Sequence, residues 1–334
     1  MNTPNSVAAR ALARGAWIAL WPMRVAAARA AIRQLTAPRR EETAGLALGF
    51  VGVAIFAATL PMTRLALASL DPQFLAAGRA AIAGVLAIPV LALGGRPPPW
   101  REFPSLMLAA FCLTAGFPGL TGFAMRTLPA AHAGVVVGAL PLATAVAAAL
   151  IDRERPSPAF WACANLGALI VVGFALHHGG GGLAGADALL LGAVASAALG
   201  YTLSAQLSRR MPARDVISWI VVLALPVSAS LSVLWRPDDP ARVPALAWGA
   251  LLYLGAMSMY LGFFAWNAAM ALGGVARVAQ VQLLQPFLTL ALAAWLLGER
   301  IDAETAIAAF LVVALIFLGR TLRVGVARSE RSPA

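Results

Sequence analysis

The chain has no lysine: every basic side chain among its 334 residues is arginine, and charged residues of both signs amount to only 12%. Soluble domains carry about 25% charged and roughly 45–50% apolar residues. Here 61% are hydrophobic and mean hydropathy is +0.82, more apolar side chain than a soluble core can hide. Cysteine is scarce as well. Cys112 and Cys163 each sit inside an apolar run, which implies buried thiols and no disulfide framework. The chain contains no Walker A loop, no G-x-S-x-G and no H-E-x-x-H, so an enzyme has no recognisable chemistry to stand on. His177 and His178 lack a carboxylate in register, and Asp238-Asp239 lies between prolines in a turn; no metal or other cofactor is expected. The alternating segments of about ten residues that a membrane β-barrel needs are missing too.

What is present is a series of apolar runs of about twenty residues, the length that crosses a bilayer core as a helix. They predict an all-α polytopic membrane protein with ten transmembrane helices near 44–65, 74–94, 104–125, 131–151, 159–177, 185–206, 216–235, 246–270, 275–297 and 303–320. Turn residues separate them, as in Asp71-Pro72 and Arg236-Pro237-Asp238-Asp239-Pro240. The net charge of +11 sits mostly at the ends of the runs. That distribution suits lipid head groups as the partner surface and argues against nucleic acid.

Counting arginines sets the expected orientation. With the N-terminus inside, the cytoplasmic side receives the tail, Arg96, Arg101, Arg153, Arg155, Arg209, Arg210, Arg214 and the C-terminal arginines. The far side receives Arg126, Arg236, Arg242 and Arg300. Both termini are expected in the cytoplasm, in the plasma (inner) membrane. Residues 1–42 hold seven of the arginines and no acid before Glu41. An in-plane amphipathic helix, an organelle transit peptide and a start placed too early all fit this stretch; a basic cytoplasmic extension is the preferred reading.

One stretch repeats. Gly274 to Arg300, GVARVAQVQLLQPFLTLALAAWLLGER, matches Ala130 to Arg155, AHAGVVVGALPLATAVAAALIDRER. With Pro141 set on Pro286, Glu154 falls on Glu299 and Arg155 on Arg300 without a gap. The expected organisation is a first five-helix repeat at 43–178, a second at 183–322 and a cytoplasmic tail at 323–334. Five is odd, so the second repeat must enter the membrane from the opposite side. Inverted repeats of this kind occur in many secondary transporters, whose sites form near the bilayer midplane at interrupted helices.

Candidate functional residues follow from cost in lipid. Pro141 and Pro286 each remove a helix hydrogen bond and free a carbonyl four residues back, that of Val137 and of Gln282. Tyr253, Met257, Tyr260, Phe264 and Asn267 share one α-helical face, and so do Val278, Gln282, Gln285 and Thr289. Such faces serve either as interhelical glue or as a cavity wall. Arg79 lies one to two turns into its span and needs a partner or a wet cavity, whereas Arg64 is close enough to a span end to snorkel. Glu154 and Glu299 end their spans and read as helix-end or gate residues beside Arg155, Arg300 and other arginines. No clear mid-span Asp or Glu offers a proton relay.

Two segments, Tyr260 to Asp302 and Thr59 to Gly84, resemble the EamA-type transporters of the drug/metabolite transporter superfamily, and the resemblance extends over about residues 43–322. It implies ten helices in two inverted repeats, and equates Pro141, Pro286, Glu154-Arg155, Glu299-Arg300 and Arg79 with family positions. The first repeat departs from the family pattern with Asp152-Arg153-Glu154-Arg155 in place of Gly-Glu-Arg. The resulting expectation is a secondary transporter, an exporter of an amino acid, amine or drug-like metabolite, working as a monomer with a homodimer as the alternative. A nucleotide-sugar or lipid-precursor carrier is the second reading, and a membrane enzyme or sensor the third. Thr59, Thr63, Arg79, Tyr201, Tyr260, Asn267, Gln282 and Gln285 are the expected substrate contacts.

Overall fold

The computed structural model of the chain describes residues 43–94, 100–151, 158–178, 185–273 and 281–321. The expected N-terminal extension, the tail at 323–334, Glu154 and Arg155 lie outside the described residues. Ten apolar helices account for nearly all of what is described. They are α1 (Thr43–Leu67), α2 (Pro72–Gly94), α3 (Trp100–Ala124), α4 (Ala130–Ile151), α5 (Pro158–His178), α6 (Gly185–Ser208) and α7 (Ala213–Leu234). After these come α8, from Ala245–Leu252 through Tyr253–Leu261 to Gly262–Gly273, α9 (Gln285–Leu297) and α10 (Ala303–Thr321). Seven are long and apolar enough to cross a bilayer, and α5, α9 and α10 contain shorter apolar cores. Consecutive helices run in opposite directions because the connections are tight, such as the turn from Leu67 to Pro72.

The packing has the symmetry that inverted repeats require. Helices α2 and α7, α4 and α9, and α5 and α10 pack on each other, and each pair joins equivalent helices of the two repeats. Helix α8 packs on α1 as α3 packs on α6, again an equivalent relation. Local irregularities are paired too. The fourth helix of each repeat is interrupted, at Ala139 in α4 and at Gln282–Leu284 before α9, and each restarts with proline as its second residue. The third helix of each repeat contains a π-helical stretch, Phe111–Gly116 in α3 and Tyr253–Leu261 in α8. Such stretches are rare and concentrate at functional sites.

Close approach at two crossings depends on glycine. Helix α4 presents Gly134 and Gly138 to α9, where an added Cβ would stand 3.0 Å from Thr289 Cγ2 and 3.1 Å from Pro286 Cγ. This is the small-xxx-small spacing that lets membrane helices come near each other. On α2, a Cβ at Gly84 would lie 2.9 Å from both Leu225 Cβ and the Val221 carbonyl oxygen of α7. The backbone carbonyl cannot swing aside as a side chain can. Gly84→Val is therefore expected to lower stability by about 1–3 kcal/mol. Gly173→Ala, in open space, should be neutral or slightly stabilising in the same thermal unfolding series in detergent.

Candidate functional site

Between the repeats lies a cavity to which eight helices contribute, α5 and α10 standing outside it. It holds about 50 Å³ of free space, room for a few waters, within a cleft of about 700 Å³ counted with its opening. That enclosed space is smaller than an organic metabolite. A second, smaller cleft adjoins it at the helix breaks, sharing Leu60, Val137, Leu140, Gln282 and Gln285 and adding Pro286 and Thr289.

The two walls differ in chemistry. Helices α1, α2, α8 and α9 bring Thr59, Arg79, Ser258, Gln282 and Gln285, together with Phe56, Met259 and Phe263. Helices α3, α4, α6 and α7 bring Leu113, Phe117, Val137, Leu140, Ile220 and Val221, with Thr114 and Tyr201 as their polar members. The pseudo-two-fold relates one set of helices to the other. In the register that sets Pro141 on Pro286, Val137 falls on Gln282, Leu140 on Gln285 and Leu113 on Ser258. Equivalent positions thus line the cavity from both repeats, polar from one and apolar from the other.

The polar wall is organised by a short hydrogen-bonded chain. Thr59 Oγ1 and Ser258 Oγ are 2.7 Å apart, and Arg79 Nη2 donates to Ser258 Oγ at 3.2 Å. Arg79 is 5% exposed, its Nε has no partner among the described residues, and no described carboxylate pairs with it. Among the described residues it is the only charged one lining the cavity. Tyr201, on the opposite wall, packs edge-on against Phe263 with ring centroids 5.8 Å apart.

Of the expected contacts, Thr59, Arg79, Tyr201, Gln282 and Gln285 share this lining; Thr63, Tyr260 and Asn267 do not. Thr63 is buried and its hydroxyl donates to the Thr59 carbonyl at 2.7 Å. The Tyr260 hydroxyl is 2.9 Å from Ser218 Oγ on α7, and Asn267 Nδ2 reaches the Ala213 carbonyl at 3.5 Å. For Tyr260 and Asn267, both on α8, the physical reason lies in the π-helical stretch. Its wider turn rotates the face that a 3.6-residue period would have kept aligned, so Ser258, Met259 and Phe263 meet the cavity instead. Ser258 was not among the expected contacts. A short hydroxyl in an apolar run gives no signal until its neighbours are known.

The helix breaks also differ in detail from expectation. The chain tightens at both, so that the Gln285 N–H donates to the Gln282 carbonyl and the Ala139 N–H to the Val136 carbonyl. Pro61 produces the freed carbonyl that matters more, that of Ala57 in α1, and Thr289 Oγ1 of α9 donates to it at 3.0 Å. Glu299 takes backbone amides rather than an arginine. Its two oxygens accept from the Ala130 and Ala131 N–H groups, each at 2.8 Å, at the first turn of α4. A carboxylate is favoured there because helix N-termini carry unpaired donors and partial positive charge. Arg300 lies exposed beside it. At the same end Arg64 donates to the carbonyls of Met125 and Arg126 beyond α3, so it caps a helix end as well as reaching toward the surface. The structure also reveals a buried pair that the sequence reading missed, His132 Nε2 and Asp187 Oδ1 at 2.7 Å, joining the first turns of α4 and α6.

Ten apolar helices in two inverted repeats, closing around a cavity with one polar and one apolar wall, define a multi-pass membrane transporter of small molecules, not an enzyme. Comparison with known proteins gives its family. A family model described as the EamA-like transporter family matches residues 43–176 and again 184–320, and the chain belongs to that family within the drug/metabolite transporter superfamily. A relative in Bacillus subtilis (strain 168), named as the uncharacterized transporter YdeK, is 45% identical over 260 residues, covering 78% of this chain and 91% of the relative. A solved crystal structure, 22% identical, shares the fold with a TM-score of 0.59 over 84% of this chain and 99% of its own.

If the Thr59–Ser258–Arg79 chain holds the polar wall together, Ser258→Ala should destabilise by about 1–3 kcal/mol, because it removes the one hydrogen-bond partner that the described residues give a buried guanidinium. Thr59→Val added to it should cost little more, since both substitutions break the same bond. Thermal unfolding of the two single variants and the double variant checks this; additive losses would show that the hydroxyls act separately.

Proposed function

We propose that the protein is a secondary transporter that exports a small organic metabolite from the cytoplasm by alternating access, with both termini cytoplasmic. The observation that carries this reading is the cavity itself. Equivalent helices of oppositely directed repeats line it, and it is too tight in this state to admit a metabolite unless one wall moves against the other. The interrupted helices α4 and α9 cross beside it at Gly134 and Gly138 and supply natural places to flex. Arginine bias supports the orientation, and the many small-molecule exporters among the resembling transporters support the direction.

Glu299 is the candidate latch for the non-cytoplasmic end. It ties the segment after α9, in the second repeat, to the first turn of α4, in the first. The two repeats cannot separate at that end without breaking or carrying those bonds. Glu154, its register partner in the sequence, is the candidate at the cytoplasmic end, with Arg155 and Arg300 as the accompanying cations.

The reading is tested by counterflow in proteoliposomes loaded with a panel of amino acids, organic acids, amines and drug-like compounds. Movement of at least one compound, abolished when the orthosteric cavity is filled by Leu140→Trp, is expected. A purified, folded protein that moves none of them would sink it. For the latch, Val137→Cys is placed in the cavity in a background with Cys112 and Cys163 replaced by alanine. Labelling by an impermeant thiol reagent from the non-cytoplasmic side should be several-fold faster with Glu299→Ala, and intermediate with Glu299→Gln, which keeps one acceptor oxygen. Equal rates in all three would remove Glu299 from the gate.

A further inference from the structure

Resting on the transport reading above, we infer that the substrate is a monovalent organic anion with an apolar, ring-sized body, its carboxylate held by Arg79. Three observations converge on this. The guanidinium is buried, lines the cavity and has one hydrogen-bond partner, the Ser258 hydroxyl, while its Nε has none among the described residues. A permanently charged group in that position has an unmet demand for an acceptor. A carboxylate answers it with the geometry guanidinium favours, two parallel N–H···O bonds.

Charge then limits the rest of the molecule. Among the described residues no acidic side chain lines the cavity. A substrate amine would bring a second cation to a site already carrying one, and a dianion would leave one negative charge in a low-dielectric space. A single carboxylate neutralises the site. The lining supports the same choice, because the arginine stands on the wall with Thr59, Gln282 and Gln285 while Leu113, Val137, Leu140, Ile220 and Val221 belong to the other wall. A molecule with one charged end and one apolar end fits in one orientation only. Phe117 supplies a ring surface on the apolar wall, and Phe56 and Phe263 flank the space from the polar one.

The experiment measures binding to the purified full-length protein in detergent by calorimetry, using five probes of one ring and different charge: phenylacetate, phenylmalonate, phenylalanine, 2-phenylethylamine and 2-phenylethanol. Phenylacetate should bind at least about tenfold more tightly than the amine, the alcohol or the dianion, with the zwitterion between. Arg79→Gln should lose that preference and bind phenylacetate no better than 2-phenylethanol, and Arg79→Lys should retain part of it. Should Arg79→Gln fail to fold, the ranking in the native protein and the effect of Ser258→Ala, which frees the guanidinium without removing it, still decide. Tighter or equal binding of the amine or alcohol, or no binding of phenylacetate at millimolar concentration, overturns the inference. Because the readout is binding, a protein that prefers the anion but moves nothing across a membrane would keep this inference and lose the transport reading. Transport of amines with no anion preference would do the reverse.

Discussion

The carbonyl oxygen of Ala57 has no backbone donor, because the residue four positions on is Pro61, and it lies where water is scarce. Thr289, on the other repeat, supplies the missing hydrogen bond. That pairing states the constraint on which the whole structure depends. In a bilayer every backbone polar group must find a protein partner or line a wet cavity. Each departure from regular helix must therefore be placed where a neighbour can answer it. The breaks in α4 and before α9, the π-helical stretches of α3 and α8, and Pro61 of α1 all lie on helices that line one central space. They are concentrated there because that is where irregular backbone is tolerated.

A second constraint is electrostatic. A charge held within the membrane costs at least about 2.5–3.5 kcal/mol unless it is paired or wet. The chain meets this cost in two ways. Glu299 and Arg64 sit at one end of the bundle, where they cap helix termini with opposite demands, donors at α4 and acceptors beyond α3. Arg79 is different, being surrounded by apolar helices and supported by one hydroxyl. A side chain of such cost with so little internal compensation is better explained by what enters the cavity than by the fold alone.

The fold was legible because its signal is long and redundant. Ten apolar runs bounded by turn residues match ten helices whose described ends differ from the expected ones by only a few residues, the expected start of the ninth near 275 lying outside the described residues, and the proline register joined the two repeats. The site was legible in part. Arg79 and the glutamines stood out because polar groups in apolar runs are rare. Tyr260 lies off the cavity lining because the helix is π-helical through Tyr253–Leu261, where an unbroken 3.6-residue period would have kept it on the shared face. Ser258, Asp187 and His132 were passed over because each depends on a partner distant in sequence. The partner of Glu299 was misjudged for a related reason. An acid near arginines suggests an ion pair, and only the three-dimensional path shows that two free amides lie closer.

The polar and apolar walls carry the argument one step beyond symmetry. Two repeats with the same fold need not carry the same chemistry, and here the register partners Val137 and Gln282, Leu140 and Gln285, and Leu113 and Ser258 differ in kind while facing one space. In the proposed alternating access, backbone symmetry supplies the motion, since two equivalent halves can exchange conformations at either face with little net cost. Side-chain asymmetry supplies the selectivity, since a cavity polar on both walls would favour water and one apolar on both would favour lipid. A hinge that treats both faces alike and a site that admits only one orientation of its ligand can coexist, because the first is set by helix packing and the second by a handful of side chains.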